Sequence, residues 1–335
     1  MYSIIQRQPM EGINYKFGWK LAHVNQVVRS ALFLCMLFFS ALSQAKILLL
    51  LSSDVSYYEE TAQSLQVAAS EQGIPTSNFT IVTIEEARRN KSFTKTYELI
   101  VAIGTSAAYE ALKEDEKTPL LNIFTPKNAF DALDLSTERK AKRPISAIYL
   151  DQPLSRLIAL GCLLKPEAKT FGTIFGPISQ EVQSEVQALT RKNGLHLKHN
   201  FLSQDDNPVA ILKPVVSESD LFIAIPDHAI LNRAIAKWIL YLSFQQKVPV
   251  IGFSKAYTNA GALASVYSSP EGVGKYAGEL ISSWLKQGDE GIWKPQYPRY
   301  YTLSTNPAVA RSLGITLPSE SELYEKFHQQ EKLKP

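Results

Sequence analysis

The residues of this chain that could do chemistry sit in short turns between apolar runs. Ser52 and Ser53 precede Tyr57 and Tyr58 in "LLSSDVSYYEE", Thr105 and Ser106 follow Gly104 in "VAIGTSAAYEAL", and Asp227 closes "FIAIPD". Hydroxyls and backbone amides at helix starts make fixed hydrogen bonds to a small polar molecule, and tyrosine rings cover its apolar face. The same hydroxyls cap helices with no ligand at all, so Ser52, Ser53, Thr105 and Ser106 each carry two readings. Asp227, at a strand end, is read as holding a ligand ammonium or hydroxyl group, with capping of the next helix as the alternative.

Covalent chemistry has less support. The chain contains no G-x-x-x-x-G-K-[ST], no G-x-G-x-x-G and no G-x-S-x-G, the patterns of two phosphate cradles and of a serine nucleophile elbow. Ser106 is a poor nucleophile candidate, because His228 belongs to another unit with no evident acid to orient it. His196 and His199 lie in "GLHLKHN", which follows a helix-ending glycine and alternates like a strand; that pattern sends the two rings to opposite faces and argues against a shared metal. Cys162, in "LSRLIALGCLL", has no cysteine partner and reads as packing. Neither a cofactor nor a metal is expected.

These turns need a scaffold, and 335 residues with 45% apolar and 20% charged side chains have room for two domains. Of 35 basic and 32 acidic residues, Arg7, Lys16, Lys20, Arg29 and Glu11 lie before position 46; the remainder is balanced at 31 of each sign. A neutral domain without a basic run offers no electrostatic footprint for nucleic acid or an anionic membrane surface. The N-terminal charges precede "SALFLCMLFFSALSQA", an apolar core followed by Ser43 and Ala45 at the spacing of a small-residue cleavage site. This reads as a secretory signal peptide cut before Lys46, since a membrane anchor needs about 20 apolar residues. Cys35 follows "LFL" in mid-core, so lipidation is not expected, and the chain is expected in the periplasm.

From Lys46 onward, continuous apolar runs alternate with helix-period segments, the pattern of parallel sheets covered on both faces. The first unit is "KILLLLSSDVSYYEETAQSLQVAASEQG"; the cycle resumes at "ISAIYLDQPLSRLIALGCLLKP" after a polar connection at 134–144. Glu60 to Gly73 and Glu181 to Gly194 have the same spacing, each a helix closed by glycine and followed by an aliphatic residue. Two similar halves imply two lobes. Ligands of open parallel sheets bind beyond the carboxyl ends of the strands, so turns 52–58, 104–106, 125–128, 176–179, 227–228 and 254–258 are expected around one cleft.

In this order the parts resemble the type I periplasmic binding fold, and within it the substrate-binding proteins of ABC transporters, whose characterised relatives include binders of aromatic amino acids. The likeness runs from 46 to 317 and is clearest in "VAIGTSAAYEAL", "LLKPEAKTFGTIFGPISQE", "VPVIGFSKAYTNAGALASVYSSPEGVGKYAGELISSWLKQG" and "NPAVARSLGITLP". It implies an α/β fold of two Rossmann-like lobes with parallel sheets joined by a hinge: 46–146 with 269–290 as one lobe, 147–268 with 291–317 as the other. "VIGFS" would be the last central strand, "GALASVYSS" its edge strand and "PEGVGKYAGELISSWLKQG" a helix returned to the first lobe, with Gly272 and Gly274 allowing close packing. Residues 318–335 read as a solvated tail helix with Ser319 and Glu322 as a capping box.

Carried over by position, the resemblance implies ligand contacts at Ser53, Tyr57 or Tyr58, Gly104, Thr105, Ser106, Thr125, Asp227 and Ser254, with Ser268 in the hinge wall. Where many relatives have Thr, Asp and Pro after the third strand, this chain reads "FTPKNAF", keeping Thr125 without the acid. The implied function is capture of a small polar or aromatic molecule, an amino acid among the candidates, by a monomer that delivers it to a membrane permease. A ligand-sensing module for a receptor and a cleft hydrolase or isomerase are the alternatives.

Overall fold

The computed structural model describes residues 46–94, 96–114, 117–133 and 143–332. The expected signal peptide and most of the polar connection at 134–144 lie outside the described residues. Five strands, β1 (Ile47–Leu51), β2 (Phe79–Thr83), β3 (Leu99–Ile103), β4 (Leu120–Thr125) and β5 (Ile145–Tyr149), form a wholly parallel sheet in the order β2-β1-β3-β4-β5. Six more, β6 (Thr170–Phe175), β7 (His196–Phe201), β8 (Leu221–Ile223), β9 (Val250–Gly252), β10 (Ala264–Tyr267) and β11 (Thr302–Thr305), form the second in the order β11-β10-β9-β8-β6-β7. Its pairings are parallel except β10 with β11. β10 is therefore not the edge strand expected of "GALASVYSS"; β11 covers it.

The unbroken apolar runs are explained by two-sided burial. Along β1, Ile47, Leu49 and Leu51 face a core shared with helices Ser56–Glu71 and Pro270–Gln287, while Leu48 and Leu50 face another against helix Thr105–Glu114. Side chains alternate across a strand, so both faces must be apolar at once. Each fully buried leucine contributes about 2 kcal/mol. The second sheet has the same layering, with helices Leu154–Leu164 and Glu320–Lys332 on one side and Pro208–Ser217 and Arg233–Gln245 on the other.

The correspondence between halves extends to helix ends. Gly73 and Gly194 have φ of 83° and 71°, left-handed values that glycine adopts without strain. In each case the next residue donates back into the helix, Ile74 N to Ala69 O at 3.0 Å and Leu195 N to Thr190 O at 2.9 Å, and buries its side chain. The turns after β3 and β8 differ. Helix Thr105–Glu114 starts directly after Gly104, whereas Pro226–Leu231 forms a loop that buries Asp227 and Ile230, and Asn232 caps helix Arg233–Gln245.

The chain passes between the sheets three times. β5 belongs to the first sheet, so the first passage follows Tyr149 rather than lying at 146/147. Helix Pro270–Gln287 packs on helix Ser56–Glu71, and Ile292 and Gln296 also stay with the first sheet, Gln296 N donating to Ala147 O at 2.9 Å. The approach of the two helices is set by Gly274 and Gly278, where an added Cβ would lie 2.3 Å from Thr61 O and 2.6 Å from Leu65 O; Gly272 instead sits beside Ser269 and Tyr300. The tail helix has its capping box, with Ser319 N donating to Glu322 Oε2 and Glu322 N to Ser319 Oγ, yet it is not solvated all round. Leu323 and Phe327 are buried in the second core, because their spacing of four puts both on one helix face.

Candidate functional site

Three passages make a hinge, and polar side chains tie them together. Gln152 Nε2 donates to Ser268 Oγ at 2.8 Å and to Tyr300 O at 3.2 Å, while Ser268 Oγ donates to Leu150 O at 2.5 Å. Arg156 reaches Gln152 Oε1 at 2.5 Å, Pro298 O at 2.9 Å and Glu331 Oε2 of the tail helix at 2.6 Å. One guanidinium thus links two passages and the C-terminus through charge-assisted bonds.

Beside this hinge, between the carboxyl ends of the strands of both sheets, lies a cavity of about 360 Å³. Pro126, Lys127 and Asn128 supply the wall from the end of β4, and Leu150, Asp151 and Gln152 the wall from the end of β5. The second sheet contributes Ile178, Val182, Ile225 and Phe253, a mostly apolar surface. Such a volume and mix suit a small molecule fixed by few polar groups. Asn128 Nδ2 lies 3.3 Å from His228 Nδ1, a contact from one lobe to the other across the cleft.

Three of the expected contact residues line the cavity, and each has internal partners. Asp227 is 3% exposed. Its Oδ2 accepts from Ile178 N at 3.1 Å, Ser179 N at 2.8 Å and Ser179 Oγ at 2.8 Å, and its Oδ1 from Ala229 N at 3.0 Å. It therefore clamps two turns of the second lobe, and Gly176 leaves the room, since a Cβ there would stand 2.6 Å from Oδ2. Ser254 caps helix Lys255–Ala260, accepting from Tyr257 N at 3.2 Å. Ser268 belongs to the hinge network.

The other seven do not line it. Ser53 is half-buried at the end of β1; Thr105 and Ser106 begin helix Thr105–Glu114, whose start is capped from outside by Ser52 Oγ, accepting from Ala107 N at 3.0 Å. Thr125, 1% exposed, donates to Asn122 Oδ1 at 2.9 Å. Tyr57 and Tyr58 build an aromatic cluster with Phe124: Tyr57 stacks on Phe124 at 5.8 Å between centroids, and the two tyrosines meet edge-on at 4.5 Å. Phe124 has φ of 59° and coincides with a register shift between β4 and β5. That bulge costs a bulky residue strain and turns its ring toward the tyrosines. Gly104 (φ 91°) makes room for the cluster, as a Cβ would stand 2.7 Å from the Tyr58 ring.

Sequence reasoning missed Asp151, which lines the cavity together with Asp131, Glu181 and Asp227. Asp151 lies one residue past Leu150 in "IYLDQPL"; its Oδ2 accepts from Lys127 N at 2.5 Å, capping the helix that begins there. Burial pushes its carboxyl above the usual range, and the Lys127 amide pulls only partly back. Lys127, two residues after Thr125, is ion-paired with Asp131, which raises its pKa. Tyr297, also on the wall, is raised by burial and then by Glu185 and Asp151. A strand followed by Asp, one residue and Pro is the only sequence signal for Asp151, and the expected lobe boundary at 146/147 falls inside β5.

Among solved structures, an ABC domain from Streptococcus pneumonia in complex with L-Trp is 20% identical, with 84% of this chain and 98% of that chain covered and a TM-score of 0.52. A ligand-free, open substrate-binding protein with adhesive properties from Clostridium difficile is 18% identical over 82% of this chain and 97% of that one, with a TM-score of 0.65. A periplasmic ribose ABC transporter structure from Conexibacter woesei is 10% identical, at 84% and 97% coverage and a TM-score of 0.51. At these identities the likeness establishes the fold. No curated protein matches the sequence. The family described as ABC transporter substrate binding protein matches residues 61–326, and the chain belongs to that family.

Proposed function

We propose that this protein captures one small molecule in the cavity between its lobes, at Asp151 and the facing apolar wall, and hands it to the permease of its ABC transporter. The observation that carries this reading is the cavity itself, placed beside a three-passage hinge where the strand ends of both sheets meet. In open parallel sheets this is where ligands bind.

The chemistry of the walls narrows the ligand. Lys127 is paired with Asp131, and Asp227 is supplied with four donors, which leaves Asp151 as the half-buried carboxylate with the fewest donors. A ligand ammonium or other strong donor placed there would relieve the cost of its burial. Its apolar part would lie on Leu157, Val182 and Phe253. Closure about the hinge would bring the Tyr57–Phe124 rim toward the same space, and contacts made only in the closed form would set the population shift. The chain acts as a monomer in the periplasm, after cleavage before Lys46; among the described residues no helix is long and apolar enough to cross a membrane.

Native mass spectrometry of the chain from Lys46, followed by calorimetric titration of amines, amino acids, nucleosides and sugars, tests this. A one-to-one ligand that binds the parent and is lost in Asp151→Asn and Phe253→Ala supports it. A ligand that binds both variants unchanged refutes the assignment of the cavity, and chemical turnover of the ligand refutes a pure binding role.

A further inference from the structure

The charge of the chain is balanced from Lys46 onward, but it is not evenly spread. Helices Pro208–Ser217, Arg233–Gln245 and Lys255–Ala260 cover one face of the second sheet and share one core. None of the three contains Asp or Glu, and neither does any position from His228 to Pro270. Lys213, Arg233, Lys237, Lys247 and Lys255 are exposed on or beside these helices, and among the described residues none of them forms an ion pair. The nearest acids in sequence mark the rim: Asp205 and Asp206 precede helix Pro208–Ser217, with Asp206 turned to Ser203, and Glu218 follows it, paired with Lys198.

Among these cations the middle helix presents rings. Trp238, Tyr241 and Phe244 are 40%, 52% and 60% exposed, on one helix face at steps of three. Trp238 and Tyr241 lie edge-to-face at 5.9 Å, and the Tyr241 hydroxyl accepts from Gln245 Nε2 at 2.7 Å. The buried face of the same helix is filled by Ile235, Ile239 and Leu242, so the aromatic stripe is surplus to the core.

We propose that this face docks on the anionic headgroups of a lipid bilayer. Tryptophan and tyrosine settle at the membrane–water boundary, and lysine and arginine are drawn to negative headgroups. A helix lying flat with rings at its centre, cations around it and no acid meets both requirements. An acidic protein surface would offer the same charge complementarity; the exposed Trp238 and Tyr241 standing among the cations match the ring-and-cation makeup of a membrane–water boundary and favour the bilayer. Docking here would hold the protein at the bilayer that contains its permease. The expectation from overall composition, that a neutral chain has no footprint for such a surface, fails because folding gathers five cations on one face.

The test is co-sedimentation of the chain from Lys46, which forms one compact unit, with phosphatidylglycerol–phosphatidylcholine vesicles and with pure phosphatidylcholine vesicles. The expected result is binding to the former only, weakening with salt. Each Lys or Arg near an anionic surface is worth a factor of about five, so Lys237→Gln with Lys247→Gln should weaken binding about 25-fold. Trp238→Ser with Phe244→Ser should abolish it, with each variant still melting cooperatively well above the assay temperature, and the lysine pair should keep the parent melting temperature because both lysines are exposed. Failure of the parent to bind anionic vesicles at low salt would overturn the proposal, as would equal binding by the variants. Loss of capture by permease proteoliposomes in the variants, with no binding to lipid alone, would reassign the face to a protein partner.

Discussion

Replacing Asp227 separates a ligand contact from a structural clamp. In Asp227→Ala, Ile178 N, Ser179 N and Ala229 N lose their acceptor, and Ser179 Oγ loses one of its partners. Bonds to a charged group are worth about 1.5–3 kcal/mol each, but they share one carboxylate and are not additive. Ser179 is itself buried, so its amide cannot simply turn to water. A net loss of about 3–4 kcal/mol follows, and at roughly 2 °C per kcal/mol for a chain of this size the ligand-free protein should melt about 6–8 °C lower. Asp227→Asn should recover part of this, since its amide oxygen can still accept from Ala229 N while its NH2 group faces the Ile178 and Ser179 amides and the Ser179 hydroxyl. Differential scanning calorimetry without ligand reads the effect directly. A melting temperature within about 1 °C of the parent, combined with lost ligand binding, would refute the clamp and restore Asp227 as a ligand group.

Gly278→Ala places a methyl group against Leu65 O and should destabilise the fold by about 2–3 kcal/mol despite the better helix propensity of alanine, measured by urea unfolding. Asp151→Asn should weaken ligand binding yet stabilise the ligand-free protein near neutral pH. The sign follows from its raised pKa: the folded form holds the proton more tightly, so this group's contribution is complete below the ordinary carboxylate pKa and is lost as pH rises through the folded value. Melts across acidic to neutral pH should show that slope in the parent and not in the variant. Ending the chain at Leu317 removes Leu323, Phe327 and the Glu331 partner of Arg156, a loss of about 5 kcal/mol visible as early melting and dye binding.

What the sequence determined by itself was the scaffold, because its signals are local. Five-residue apolar runs such as "ILLLL", followed by glycine-closed helices, specify strands buried on both faces and their parallel connection. Near-identical spacing around Gly73 and Gly194 revealed the two halves. The turns that gather at the strand ends were legible too, and Asp227, Ser254 and Ser268 do line the cavity.

Only the tertiary structure decided what those residues face. Asp227 finds Ser179 across a separation of 48 residues, and Ser52 caps the helix at Ala107 from 55 residues away, pairings that depend on strand order rather than on neighbouring residues. Asp151 became a half-buried acid of the site because β5 joins the first sheet beside β4, which sets its carboxylate against the Lys127 amide. Composition summed the charges to zero, whereas packing three acid-free helices side by side put five cations on one surface. Hydrogen-bond satisfaction and surface charge are properties of distances between elements, and those distances exist only once the sheets have formed.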